Sequence, residues 1–177
     1  LVEVSTPEEP LRPTTPALPE GIPPVGNLTP LQAQLLLVQA REAGLAGDDA
    51  TALTYFRRLR GSPVASQARL DEVRLLRLRN RSGEGLALID GLSADQLDDP
   101  LRVEHGRLLI AAGRAREALG PLTAVRQGAA ETDEALFVIA QALAADGKAD
   151  QAKKVYAALA KGTGLWAQAA QQQLAGR

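Results

Sequence analysis

Three arginines and a glutamine, Arg41, Arg74, Arg107 and Gln141, recur at nearly one spacing along the chain. A guanidinium group is a planar fork of donors that can hold a carboxylate in two bonds. A regular row of such groups is therefore a means of gripping acidic groups, and Arg77 belongs to the same candidate set. Four residues before each member of the row come Leu37, Leu70, Val103 and Phe137, which would lay an apolar strip beside it. The competing reading is a solvated face whose arginines are occupied by ion pairs within the chain.

Other chemistry finds little material. His105 is the only histidine and cysteine is absent, so a metal cluster or a Ser-His-Asp arrangement has no second histidine to draw on. Ser5, Ser62, Ser66, Ser82 and Ser93 fall in the N-terminal arm, in caps or in loops, and Asp95, Asp98 and Asp99 read as loop and cap residues at a helix N-terminus. His105, beside Gly106, reads as a partly buried structural histidine. The GKAD and GRAR turns lack the spacing of a phosphate-binding loop. No enzymatic activity, cofactor or metal is expected.

Eight arginines between Arg57 and Arg81 face only Asp71 and Glu72, a local excess of six positive charges. Only Tyr55 and Phe56 lie near to stack on bases, and the net charge of −1 gives no global attraction to nucleic acid or membrane. Nucleic-acid binding is not expected. The composition, 45% hydrophobic and 23% charged with five aromatic residues, suits helices packed through Leu, Ala and Val. No apolar run approaches the ~20 residues of a membrane span.

The elements that must position the row are set out between Asp133 and Trp166. Leu136, Ile139, Ala140 and Leu143 step by threes and fours as the stripe of an amphipathic helix. Asp146-Gly147-Lys148 breaks it, and Ala149, Ala152, Val155, Tyr156 and Leu159 draw a second stripe. Two helices so closely joined lie antiparallel, and neither buries its stripe alone. Shifting this unit back by its own length finds it again. Gly147 falls on Gly113, Ala152 on Ala118 and Ala140 on Gly106; a further shift of nearly the same length maps Ala118 to Gly85, and another maps Gly85 to Ala52. Gly47 opens the second helix of the first copy. Four copies result, at about 33–65, 66–98, 99–132 and 133–166. Thr29-Pro30 with Gln32, Ser62-Pro63, Asp99-Pro100 and Thr132 read as the helix starts. Pro121 falls inside the second helix of the third copy and predicts a kink or a late start there. Residues 165–175 read as a capping helix anchored by Trp166, with Gln168, Gln171 and Gln172 on its polar face.

This period, with small residues at Ala40, Gly106 and Ala140 in first helices, at Ala52, Ala118 and Ala152 in second helices, and with Phe56 and Tyr156 one turn beyond, resembles the tetratricopeptide repeat family. The resemblance covers residues 30–177 or so. The chain departs from the family where Leu36, Arg69, Arg102 and Leu136 replace the usual large aromatic, where Val73 replaces a small residue, and where the closing proline is found only near Pro63. It implies an all-α fold: a right-handed solenoid of about four helix-turn-helix repeats over residues 29–177, with a C-terminal capping helix. It further implies that first helices line a concave groove, where Leu37, Arg41, Leu70, Arg74, Arg77, Val103, Arg107, Phe137 and Gln141 would meet a partner protein. The lysine and asparagine clamp of the chaperone-tail-binding members is not matched by Leu37 and Arg41. Charge reversal along the row is expected to abolish binding and to leave folding nearly unchanged.

Residues 1–28 carry prolines 7, 10, 13, 16, 19, 23 and 24, the first five at steps of three. Three residues make one turn of polyproline II, so those five rings would stack on one edge of a rod that reaches roughly 37 Å from Pro7 to Pro19. The arm is open to three roles: a stiff spacer, a ligand for a proline-binding groove, or a segment docked on its own repeats. The chain begins at Leu1 without methionine, which reads as a processed product or a trimmed chain. A proline arm ahead of a small repeat domain resembles bacterial envelope proteins, including outer-membrane lipoproteins that activate peptidoglycan synthases. The expectation is a non-catalytic, monomeric, periplasmic scaffold that touches the membrane only through an N-terminal anchor. The alternatives are a structural subunit of a secretion, pilus or outer-membrane complex, and a cytoplasmic location.

Overall fold

The computed structural model describes residues 28–176; the rod expected from Pro7 to Pro19, and with it the arm's three roles, lies outside the described residues. Among the described residues there are nine α-helices and no strand: α1 (Pro30–Leu45), α2 (Asp49–Arg58), α3 (Ala65–Leu78), α4 (Ser82–Asp90), α5 (Asp99–Ala111), α6 (Leu119–Thr123), α7 (Thr132–Ala145), α8 (Ala149–Leu159) and α9 (Leu165–Leu174). None is long and apolar enough to cross a membrane. The chain divides into two compact units between Ala65 and Ser66.

Four helices stop by one device. Gly47, Asn80, Gly113 and Gly147 have φ of 85°, 57°, 75° and 78°, the left-handed region in which a residue without a branched side chain reverses the helix. The next N–H in each case reaches back five residues, Asp48 to the Ala43 carbonyl at 2.9 Å, and Arg81 to Leu76, Arg114 to Leu109 and Lys148 to Leu143 at 2.8 Å each. These bonds satisfy carbonyls that the helix end leaves open. The four turn residues keep the period of the arginine row. Asn80 completes the series in the second copy, where no glycine marks the turn; Asn tolerates this conformation better than other residues with a side chain.

In the first unit α1 packs on α2. Thr29 and Gln32 start α1 with a reciprocal capping box, and Ala33, Leu36, Leu37 and Ala40 are buried with Ala52, Leu53, Tyr55 and Phe56 of α2. In the second unit α4 packs on α5, α5 on α6 and α7, α6 on α7, α7 on α8, and α9 on both α7 and α8. Val73, Leu86, Leu101, Leu108, Leu122 and Val138 belong to one core cluster, and Phe137, Ala140, Tyr156 and Ala170 to a second. Small residues permit the close approaches. A Cβ on Gly106 would stand 2.6 Å from Leu122 Cγ, and one on Gly85 would stand 2.9 Å from a Leu108 methyl.

Three helix starts differ from expectation. Ser62 shapes a turn instead of a cap, donating to the Leu59 carbonyl and accepting from the Val64 N–H, and α3 begins at Ala65. Asp98 caps α5, its Oδ1 accepting from the Leu101 N–H at 3.1 Å, so Asp99 and Pro100 fall inside the first turn. Thr132 is the first residue of α7; its hydroxyl donates to the Ala129 and Arg126 carbonyls of the preceding loop. Pro121 acts as expected of a helix that starts late. Residues 115–118 form turns, and α6 keeps only the five residues from Leu119 to Thr123. The short helix leaves a recess of about 520 Å³ lined by Leu122, Val125, Thr132, Ala135, Leu136 and Ile139.

Candidate functional site

In the second unit the arginine row converges on a residue that the sequence pattern conceals. Glu104 of α5 is 1% exposed, and three guanidinium groups hold it. Arg77 Nε donates to Oε2 at 2.8 Å, while Arg74 Nε and Arg107 Nη1 donate to Oε1 at 3.2 and 3.1 Å. Burial raises the pKa of the Glu104 carboxyl, and the charges and bonds of Arg77, Arg107 and Arg74 outweigh it, leaving the group below the ordinary glutamate value. Arg107 Nη1 also reaches Glu134 Oε1 at 2.6 Å, and its guanidinium lies 5.7 Å from the Trp166 ring centre, a distance at which the ring's face attracts a cation. Trp166 and Tyr156 sit 5.3 and 5.4 Å from the Phe137 ring. Arg107 is thus fixed on three sides.

Around this network the ends of α3, α5 and α7 form a recess of about 380 Å³, lined by Arg77, Asn80, Arg107, Ile110, Ala111, Phe137 and Gln141. Guanidinium and amide donors share its wall with apolar carbon. Arg77 and Arg107 line it, paired with the carboxylates of Glu104 and Glu134. Such a recess can hold an acidic or amide-bearing side chain that has an apolar stem.

The expected groove residues separate accordingly. Arg77, Arg107, Phe137 and Gln141 meet in the recess, and Arg74 joins them through Glu104. Leu37 and Arg41 belong to the first unit, Leu37 on the buried face of α1 and Arg41 exposed. Val103 is buried in the core and Leu70 is partly buried against it, so neither forms the apolar strip expected along a groove. Residues four apart share a helix face, as Phe137 and Gln141 do in the recess; Val103 and Leu70 are instead drawn into the core cluster by the apolar side chains packed around them. Internal ion pairs occupy Arg74, Arg77 and Arg107, as the competing reading supposed. Reversing Arg74 and Arg107 would strand a buried carboxylate, so that change cannot be neutral for folding.

Asp99 is a second buried carboxylate, 1% exposed, held by Arg102 Nη1 and Arg126 Nε at 2.7 Å each. Burial pushes its pKa up, and the bonds from Arg126 and Arg102 bring it below the usual aspartate value. It ties the first turn of α5 to the loop after α6. His105 is half-buried, with Nδ1 enclosed and unbonded, and burial lowers its pKa against the opposing charge of Asp90. Among the described residues no group of three His, Asp or Glu side chains is placed to hold a metal ion.

Glu104, Glu134 and Asn80 escaped the sequence pattern. A signal for Glu104 was present: with Leu101 and Leu108 it completes a core-facing stripe stepping by three and four, and a charge in such a stripe requires partners. No family model matches the chain, and neither curated proteins nor solved structures give a match.

Proposed function

We propose that the chain is a non-catalytic protein-binding module whose hairpins stack as a right-handed tetratricopeptide-like solenoid and whose α3–α5–α7 recess takes a side chain of the partner. The observation that supports this is the recess itself, in which Arg77, Arg107 and Gln141 are set around Phe137 and Ile110. Its arginines are held in place before any ligand arrives, so little side-chain entropy is lost on binding. The evenly spaced left-handed turns at Gly47, Asn80, Gly113 and Gly147 support the repeat reading. On the architecture of a proline-spaced arm ahead of repeats, the module belongs to a bacterial envelope scaffold, a periplasmic regulator that reaches a peptidoglycan synthase from an outer-membrane anchor.

The test is site-specific photo-crosslinking in the native cell, with the photoreactive residue at Gln141 and, for comparison, at Lys153, which is exposed on α8. A discrete adduct from position 141 and none from 153 is the expected result. A synthase in that adduct supports the envelope reading; secretion, pilus or barrel-assembly components instead make the chain a structural subunit. No adduct from 141 overturns the recess as a binding site.

A further inference from the structure

The first helix has two apolar faces. One is buried in the hairpin, through Ala33, Leu36, Leu37 and Ala40. On the other, Leu31, Leu35, Val38 and Leu45 are 79%, 46%, 45% and 89% exposed. With Glu42, these positions step by four, three, four and three, the spacing of a seam that runs along another helix. Among the described residues, the other large apolar side chains left open, Leu78, Leu136, Leu165 and Leu174, form no such row.

Later hairpins show what the same positions do when a neighbour is present. Counted from the left-handed residue that ends each helix, Leu35 corresponds to Leu101 and Ala135, Val38 to Glu104 and Val138, and Glu42 to Leu108 and Ala142. All six counterparts are buried. Their cover is helical and comes from the preceding hairpin: Leu108 lies against Gly85 of α4, and α7 packs on α5 and α6. We propose that the Leu31–Leu35–Val38–Leu45 seam of α1 is a docking surface for an amphipathic helix of a partner protein, seated as a preceding hairpin would be.

Glu42 argues against a second copy in that place. An antiparallel pair of α1 helices would set the exposed Glu42 near Leu35 of the copy, and a parallel pair would set it against Glu42. Helix α9 offers no apolar seam either: its exposed Leu165 and Leu174 stand nine residues apart, with the exposed Gln168, Gln171, Gln172 and Gln173 between them. The sequence before Leu28 places a proline at least every four residues from Pro7 to Pro24, which is not the pattern of a helix. The fitting partner is a helix with apolar residues at alternate steps of three and four and a polar or basic residue where it meets Glu42. This surface is separate from the α3–α5–α7 recess and does not rest on it.

The experiment titrates the full isotopically labelled chain with a synthetic three-heptad peptide, leucine at its seam positions and lysine at one of them, and with a scrambled peptide of the same composition. Saturable amide shifts in α1 are expected with the first peptide alone. The double change Leu35→Lys with Val38→Lys should weaken binding about tenfold or more and leave the melting curve unchanged; Leu31→Ser should weaken it in the same direction. Equal binding of the scrambled peptide, or of the variants, overturns the proposal. Binding that appears only after residues 1–27 are removed assigns the seam to the arm and also overturns it. So does a dimer in sedimentation equilibrium that the double change dissolves.

Discussion

Val38 in α1 and Glu104 in α5 both stand nine residues before the left-handed residue that ends their helix, yet the valine is 45% exposed and the carboxylate 1%. Residue type alone would assign them the other way round. The repeat register sets where a side chain points, and the neighbouring helix decides whether that place is dry. A charge can occupy the dry place in α5 because Arg74, Arg77 and Arg107 converge on it from two helices. In α1 the apolar counterparts are open, and among the described residues no helix covers that face.

The largest expected effect comes from breaking the buried side of this comparison. Glu104→Ala removes the acceptor for three guanidinium groups and leaves a cavity, and should cost about 3–5 kcal/mol in urea denaturation. Glu104→Leu fills the space and should cost clearly less. If the two changes cost the same, filling the space contributes nothing and the loss is that of the ion pairs alone.

Titration removes the same charge without a mutation. The Glu104 and Asp99 carboxyls lie below their ordinary values of 4.5 and 3.8 in the folded chain. Their stabilisation is therefore fully present above those values and is lost as the pH falls through the depressed ones. The melting temperature should hold from neutrality to about pH 5 and fall below about pH 4, and Glu104→Leu should flatten that fall. An unaltered acid limb in the variant would show that Glu104 is not among the groups responsible.

Gly106→Ala sharpens the packing side, since its Cβ would lie 2.6 Å from Leu122 Cγ; a loss of about 1–3 kcal/mol is expected, read by thermal melting. Gly113→Ala, at φ 75° with open space around the Cβ, isolates backbone strain and should cost about 1–2 kcal/mol. The smallest effect belongs to Leu35→Lys with Val38→Lys, expected within about 0.5 kcal/mol per site in the same assay. A larger loss would mean that the seam already packs against something within the chain.

The helices with glycine stops were legible in the sequence, since Leu136 to Leu143, Gly147 and Ala149 to Leu159 mark α7, its turn and α8, but their faces were legible only in part: Leu136 and Ala149 are exposed, and α7 also buries Ala135, Phe137, Val138 and Ala142. Turn chemistry was legible where it was local, as in the capping box of Thr29 and Gln32. It failed where the side chain had a long-range alternative. Asp99 passes the capping role to Asp98 because Arg126, 27 residues away, holds its carboxylate, and no spacing rule within one turn carries that information. The arginines were visible as a row, but their target was not, because Arg74 and Glu104 lie 30 residues apart and meet only once α3 and α5 are packed.

The four left-handed turns also bear on how the chain folds. Each is closed by a hydrogen bond between residues five apart, so its formation costs little loop entropy and requires no distant partner. A chain with such turns at Gly47, Asn80, Gly113 and Gly147 can begin folding at four places, none of which waits on a distant partner. Its folding rate should then depend more on docking neighbouring hairpins than on a long-range search, as is common for proteins built from local contacts.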